Sequence, residues 1–199
     1  MAKEGSDRSN MHNIDKNPAE ENKNIIYFDL ETQKSAQEVG GWSYIDRMKF
    51  AIAVTYSTAD QQYTTFQEAD AGRLINQLTK ADLIVGFNLK GFDYVVLRPY
   101  TPINLWQLPT LDMLEHVRRT LGFRLSLDAL AKETLRETKS ADGLQSLRWW
   151  KAGKVDLVAE YCRKDVEITK RLHEYACQNG HLLFRGRDGR VRRVNTTGW

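Results

Sequence analysis

The stretch IIYFDLET at residues 25–32 decides how the fold is predicted. It opens with apolar strand formers, which predicts a buried β-strand beginning at Ile25. Side chains two residues apart in a strand point to the same face, so Asp29 and Glu31 project together at its end. Like charges side by side raise each other's pKa, and a divalent cation would offset that cost. A strand end emerging into solvent explains this pair, taken alone, equally well.

The pattern of apolar residues outward from this strand predicts the other elements. Period-two or continuous apolar runs indicate strands, and three-to-four spacing indicates helices. The predicted strands cover 50–57, 62–68, 82–88 and 108–114, and the predicted helices cover 71–81, 92–100, 126–135 and 155–180. Strands come first and then alternate with helices, which predicts an α/β fold with a mixed sheet flanked by helices.

The chain is long enough for one domain with its own core. Residues 1–23 have almost no apolar content and are predicted to form a disordered N-terminal tail, a possible arm for a protein partner. Residues 24–180 are predicted to form the functional domain. Residues 181–199 carry five arginines and the single acid Asp188, and are predicted to form a basic hairpin or extension packed on that domain. These arginines either bind the phosphates of a nucleic-acid strand or keep a strand edge of the protein charged and soluble.

Composition limits the compartment and the partners. The net charge of +3 permits a nucleic-acid partner without requiring one. Cys162 and Cys177 lie fifteen residues apart on one predicted helix, too far for a disulfide, which favours a reduced, cytoplasmic setting. No apolar run approaches the roughly 20 residues that span a bilayer, so no membrane association is expected.

Two further motifs carry acidic residues. In GFNLKGFD, residues 86–93, Asp93 falls in the first turn of a predicted helix, where it could simply complement the helix dipole. In YCRKD, residues 161–165, Tyr161 and Asp165 lie four residues apart and share a helix face. A surface acid explains Asp165 alone. His173, two turns further along, is predicted to lie at the surface. Asp112 is a candidate for a place beside the acidic cluster, although a capping acid explains it better.

Taken together, these motifs resemble those of the DEDD superfamily of 3′–5′ exonucleases, also called DnaQ-like, which have a ribonuclease H-like fold. The resemblance covers about residues 25–176. Glu160 stands where the histidine subtype has its catalytic histidine, so the tyrosine subtype (DEDDy) fits, and SLDAL at 126–130 resembles a helix that the family has between its last two motifs. The residues that carry the resemblance are, in chain order, Asp29, Glu31, Asn88, Phe92, Asp93, Tyr161 and Asp165.

The resemblance implies a ribonuclease H-like mixed sheet of five or six strands and a two-metal mechanism. Two divalent cations, Mg²⁺ or Mn²⁺, would be held by Asp29, Glu31, Asp93 and Asp165, with Asp29 bridging them. Tyr161 would orient the attacking water. The implied substrates are 3′ ends of single-stranded DNA or RNA, with DNA slightly favoured, and the implied products are nucleoside 5′-monophosphates.

Contacts to the nucleic acid are predicted for residues beside these motifs. Thr32 and Asn88 are candidates for the terminal sugar or phosphate, and Phe92 for base stacking, although Phe92 fits a core position better. Arg148 and Trp149 are candidates for gripping a single strand, although core packing of one tryptophan explains the pattern equally well.

Three other functions fit parts of the sequence. An endonuclease of the ribonuclease H type is disfavoured by the Tyr-x3-Asp spacing of Tyr161 and Asp165. A catalytically weak nucleic-acid-binding module is disfavoured because all four acids are present. A proofreading-type subunit that acts only with a polymerase or another partner stays open, and the N-terminal tail would suit such docking.

Overall fold

A mixed β-sheet forms the centre of the molecule. The computed structural model describes residues 23–137 and 143–199, so the predicted N-terminal tail lies outside the described residues except for Lys23. The strands of the main sheet are β1 (Ile25–Thr32), β2 (Phe50–Ser57), β3 (Gln62–Gln67), β4 (Leu83–Gly86) and β5 (Thr110–Asp112). In these ranges their order is β3-β2-β1-β4-β5. β1 and β3 are antiparallel to β2, and β1, β4 and β5 run parallel. The predicted α/β fold, with a mixed sheet of five or six strands flanked by helices, is confirmed with five strands in the described residues.

Helices cover both faces of this sheet. They are α1 (Ala36–Val39), α2 (Ala71–Thr79), α3 (Asp93–Leu97), α4 (Met113–Leu121), α5 (Leu127–Leu135), α6 (Gly143–Lys151) and α7 (Val155–Asn179). Within the part of the chain that the structure describes, no helix combines the length and the apolar character needed to cross a bilayer.

The two faces of β1 belong to two different hydrophobic cores. Ile26, Phe28 and Leu30 pack into a core that includes residues of α2 and α3. Tyr27 packs into the other core, which includes the buried face of α7. Because side chains alternate along a strand, Asp29 and Glu31 point to the same face as Tyr27. The acidic pair therefore faces α7, the helix that carries Tyr161 and Asp165.

Several predicted element boundaries were wrong. The helix predicted at 92–100 ends at Leu97 and continues as a 3₁₀ turn, because Pro99 has no backbone N–H to donate to an α-helical turn. The strand predicted at 108–114 is short, because Asp112 accepts hydrogen bonds from the first backbone N–H groups of α4 and starts that helix. Neither α4 nor α6 was predicted.

A separate antiparallel hairpin closes the chain. It consists of β6 (His181–Arg185) and β7 (Val191–Asn195), joined by a turn that contains Gly189 with φ of +76°. The hydroxyl of Thr134 on α5 accepts a hydrogen bond from the Leu183 N–H at 2.9 Å and donates one to the Leu183 carbonyl at 3.2 Å. The hairpin is therefore hydrogen-bonded to the body of the domain.

His173 lies in the core rather than at the surface. It is 4% exposed, and Nδ1 of its ring lies 2.9 Å from the Tyr27 hydroxyl. Its ring also stacks on Trp199, with centroids 6.2 Å apart. Burial lowers the pKa of His173 from 6.5 to about 4, outweighing the opposite influence of Glu174. The prediction of a surface histidine was wrong because Trp199 folds back over this part of α7.

The buried histidine predicts a pH-dependent stability. The unfolded chain takes up a proton at His173 below about pH 6.5, whereas the folded protein does so only below about pH 4. The free energy of unfolding should therefore fall as the pH drops through this window, by about 3 kcal/mol in all. In urea unfolding, His173→Gln should be less stable at neutral pH and should lose less stability in acid. An identical pH dependence in both proteins would contradict this expectation.

Candidate active site

The acidic pair lies near the carboxyl end of β1. Asp29 and Glu31 are half-buried, and the pairing of β1 with β2 shifts register between Glu31 and Thr32. Such bulges bend a strand and re-aim its side chains, and they are common beside active sites. Thr32 follows the pair, is buried, and donates its hydroxyl to the Lys34 carbonyl at 3.0 Å.

Helix α7 brings the other half of the site over this strand end. Val158, Cys162 and Val166 seat the helix on the sheet through its apolar face. The Cys162 thiol donates to the Asp29 backbone carbonyl at 3.2 Å and lies 3.5 Å from Asp29 Oδ2. Asp165, one turn further along the helix, is therefore held next to Asp29.

Three carboxylates converge at this point. Oxygens of Asp29, Glu31 and Asp165 all lie within 4.8 Å of one another, and Asp165 is only 5% exposed. Three anions this close repel one another, and a divalent cation would offset that repulsion. The donor atoms are all carboxylate oxygens, which suit Mg²⁺ or Mn²⁺ better than a softer metal. The residues present therefore fit a hard divalent cation.

Asp93 lies in the same cleft but outside this group of three. Its side chain is 2% exposed, and Oδ1 accepts a hydrogen bond from the Leu30 N–H at 3.1 Å. Burial first, and then the charges of Asp112 and Glu31, raise the pKa of Asp93 well above its ordinary value. The carboxyl of Asp93 is thus tied to the backbone of β1, between Asp29 and Glu31 in the sequence.

The loop at 86–91 sets the position of Asn88. Asn88 has φ of +71°, a left-handed conformation that asparagine tolerates, and its N–H donates to Asp112 Oδ1 at 2.9 Å. A Cβ on Gly91 would lie 2.6 Å from Asn88 Oδ1, so a larger residue at 91 would displace the Asn88 side chain from this position. Asp112 also accepts from the Lys90 N–H at 3.0 Å and caps α4. The prediction of Asp112 as a capping acid is confirmed.

Tyr161 reaches the carboxylates through its hydroxyl. That hydroxyl hydrogen-bonds with Asp165, its neighbour one helical turn away. Burial and the nearby carboxylates, Asp165 first, raise the pKa of the phenol above its ordinary value. The Trp149 ring packs edge-on against the Tyr161 ring, with centroids 6.2 Å apart at an angle of 66°. Trp149 therefore helps to hold the Tyr161 ring in place.

The predicted nucleic-acid contacts divide into two groups. Thr32, Asn88 and Phe92 line an open cleft of about 770 Å³ together with the acids and Tyr161. Arg148 and Trp149 do not line it: Arg148 is exposed and donates to Gln145 at 3.4 Å, and Trp149 backs Tyr161.

Other residues of the site carried no clear signal in the sequence. Trp42 and Leu144 line the same cleft and are 71% and 61% exposed. Trp42 follows Gly40 and Gly41, whose φ of +95° and +121° turn the chain there. A large aromatic residue directly after a Gly-Gly break could have been a signal. Arg124, in a loop, lines an adjoining depression with Asp29 and Asp165.

A comparison with known families assigns the domain. The family model described as RNase_H superfamily matches residues 26–177, which is more than half of the chain. The chain belongs to the RNase H superfamily. The match includes Asp29, Glu31, Asp93, Tyr161 and Asp165, and an RNase H-like domain indicates a nuclease-type hydrolase that acts on nucleic acid with divalent metal. No curated protein matches the chain.

Proposed function

We propose that the protein is a metal-dependent 3′–5′ exonuclease of the tyrosine subtype within the RNase H superfamily. It hydrolyses phosphodiester bonds at the 3′ end of single-stranded nucleic acid, with DNA slightly favoured, and releases nucleoside 5′-monophosphates. One observation carries this proposal: the Tyr161 hydroxyl bonds to Asp165 directly beside the carboxylates of Asp29 and Glu31. A tyrosine placed in this way is the feature that the resemblance ties to exonucleases.

The proposed cofactors are two divalent cations, Mg²⁺ or Mn²⁺. When bound, they supply Lewis-acid chemistry that activates a water and stabilises the leaving oxygen at phosphorus. Asp29, Glu31 and Asp165 would hold them, because their oxygens already converge within 4.8 Å. Asp93 would support the second cation from its place in the same cleft, directly or through water.

The protein groups around the cluster hold it in place. The Cys162 thiol fixes the Asp29 carboxylate from the core side. The Leu30 N–H fixes Asp93 in the same way, so both acids are oriented by groups that solvent does not reach. Ligands locked by such neighbours keep their geometry during the reaction.

Tyr161 is proposed to orient the attacking water rather than to remove its proton. Because the pKa of this phenol is raised above its ordinary value, the hydroxyl stays protonated at neutral pH. It can therefore hydrogen-bond to a water and to Asp165 together, whereas a deprotonated phenolate is needed for a base. Proper positioning of a nucleophile accounts for a large part of many rate accelerations.

The cleft favours an unpaired strand end. Trp42, Leu144 and Phe92 give it apolar walls, two of them strongly exposed. Aromatic and apolar surfaces stack on the faces of unpaired bases and do so with little sequence preference. Thr32 and Asn88 lie close enough to the acids to contact the terminal sugar or phosphate in this proposal.

Replacing Tyr161 by phenylalanine should slow cleavage by about tenfold to a hundredfold, because the water loses its orienting hydroxyl. The affinity for Mn²⁺ should stay close to that of the wild type, since the carboxylates are unchanged. Single-turnover rates and a Mn²⁺ titration measure the two quantities. Trp149→Phe, which keeps an aromatic ring behind Tyr161, is the matched control and should be nearly as fast as the wild type. A full rate in Tyr161→Phe would remove Tyr161 from the mechanism.

The proposed function can be tested with 5′-labelled single-stranded DNA and RNA of the same sequence. With Mg²⁺ or Mn²⁺, the label should appear in a ladder that shortens step by step from the 3′ end, and a chelator should stop it. The faster of the two substrates shows which sugar is preferred. Retained binding without any cleavage would favour a binding module or an enzyme that needs a partner.

A further inference from the structure

A basic groove adjoins the carboxylate cluster. Asp29, Asn88 and Asp165 line both the main cleft and a second depression, to which Arg124 and Leu125 contribute. A third depression, of about 620 Å³, is lined by Arg124 and Leu125 again. The three depressions therefore adjoin in series, the main cleft next to the second and the second next to the third, and Arg124 lies where the second meets the third.

The third depression is formed by the C-terminal hairpin β6–β7. Arg185, Arg187 and Arg192 line it from the hairpin side. Arg185 forms a two-pronged pair with Glu133 at 2.8 Å, and Arg192 pairs with Asp188 at 2.8 Å. Arg187 is exposed and forms no ion pair with any residue of 23–137 or 143–199. The groove thus combines arginines in fixed positions with an arginine that is free to bind an anion.

An exposed aromatic ring lies in the same groove. Phe123 is 48% exposed and packs edge-on against Phe184 of β6, with centroids 6.0 Å apart. The groove therefore offers both of the features that bind a single strand without sequence preference, cations for phosphates and a ring face for a base.

The hairpin is firmly attached although it lies beyond the matched range of the family, which ends at residue 177. His116 Nε2 on α4 lies 2.9 Å from the Asn195 carbonyl, and Trp199 packs against the rings of His116 and His173. A surface held in this way presents its arginines at fixed distances from the carboxylate cluster. If the arginines only kept a strand edge charged and soluble, they would not need to lie next to the carboxylate cluster.

We infer that the hairpin β6–β7, with Phe123 and Arg124, binds the part of the substrate strand that lies upstream of its 3′-terminal nucleotide. Arg124 contacts the phosphate next to the carboxylate cluster, and Arg187 and Arg192 contact phosphates further from it. This inference rests on the proposed exonuclease function. It gives this chain an extended binding site whose hairpin part, residues 181–195, lies beyond the matched range of the superfamily.

The inference is tested on the double variant Arg187→Ala, Arg192→Ala in the full chain. Binding of a single-stranded oligonucleotide is measured by fluorescence anisotropy in EDTA at several salt concentrations, so that no cleavage occurs. Loss of two phosphate contacts should weaken binding about tenfold or more at low salt. It should also reduce the slope of log K against log salt by about two.

The matched control is the double variant Arg73→Ala, Lys80→Ala on the other face of the sheet, with Arg73 on α2 and Lys80 directly after that helix. It removes the same charge and likewise breaks one surface ion pair, that of Arg73 with Asp70 at 2.7 Å. Its binding and salt slope should stay close to those of the wild type. Equal effects of the two double variants would overturn the inference. Should the double variant unfold, Arg187→Ala alone should still lower the slope by about one.

A small substrate separates this inference from the proposed function. The p-nitrophenyl ester of thymidine 5′-monophosphate is too short to reach the hairpin, so the double variant should hydrolyse it as fast as the wild type. Slow hydrolysis would mean that the hairpin acts on the cluster itself and would overturn the inference. No hydrolysis or strand cleavage by the wild type, with hairpin-dependent binding retained, would overturn the proposed function alone.

Discussion

Asp29→Asn should lose nuclease activity by about a thousandfold or more while keeping the fold. The substitution removes one negative charge from the three converging carboxylates and therefore weakens binding of the cation that they are proposed to share. Metal ions supply several kcal/mol of transition-state stabilisation, and each 1.36 kcal/mol corresponds to about tenfold in rate. The rate is measured in single-turnover experiments on a labelled single strand, and the fold by thermal unfolding.

The matched control for this substitution is Asp60→Asn. Asp60 is exposed in the turn between β2 and β3, outside the cleft, so the same chemical change there should leave the rate unaltered. Because Asp29→Asn relieves repulsion between carboxylates, it should be as stable as the wild type without metal, or slightly more stable. Cleavage at the wild-type rate would remove Asp29 from the metal site.

Chelation of the metal should reduce cleavage by the wild type as strongly as Asp29→Asn does, and added Mg²⁺ or Mn²⁺ should restore it. A cation that binds only the folded protein also stabilises it, so either metal should raise the unfolding temperature of the wild type. The rise should be absent or much smaller in Asp29→Asn and unchanged in Asp60→Asn. Activity that persists in excess EDTA would contradict the metal assignment. A temperature shift of equal size in all three proteins would show that the metal binds elsewhere.

Much of the fold could be predicted from residue periodicity. The alternation in IIYFDLET placed Asp29 and Glu31 on one face, and the order of strands and helices indicated a mixed α/β sheet. The four-residue spacing of Tyr161 and Asp165 placed both on one side of a helix. These features depend on neighbours within a single element, which is the information that a sequence pattern contains.

Other features depend on contacts between distant parts of the chain. Burial of His173 requires Trp199 to fold back across α7, and no local pattern in either segment indicates this contact. Arg124 lies in a loop and Trp42 begins a short 3₁₀ helix, and neither segment has a periodicity that marks which side chains face the acids, so their approach was missed. Helix α6 was not predicted: the sequence explained Trp149 equally well as part of a grip on a single strand or as core packing, and in the structure Trp149 is half-buried beside α7.

The candidate site shows the same division. Sequence motifs and their family resemblance named the acids, but the convergence of Asp165 with Asp29 comes from the seating of Cys162 against β1. The different surroundings of Asp93, bonded to the Leu30 N–H and buried, could not be predicted from its place in a first helical turn. The burial of Asp93 follows from packing of α3 against the sheet.

Dependence on a free 3′ end is measured by comparing a linear single strand with a closed circle of the same sequence, in Mg²⁺ or Mn²⁺. An exonuclease needs a free 3′ end, so we expect the linear strand to be converted to nucleoside 5′-monophosphates while the circle stays intact. A 3′ blocking group on the linear strand should also delay its degradation, because the free 3′ end is then missing. Nicking of the circle at a rate similar to that of cleavage of the linear strand would contradict the exonuclease assignment and show an endonuclease.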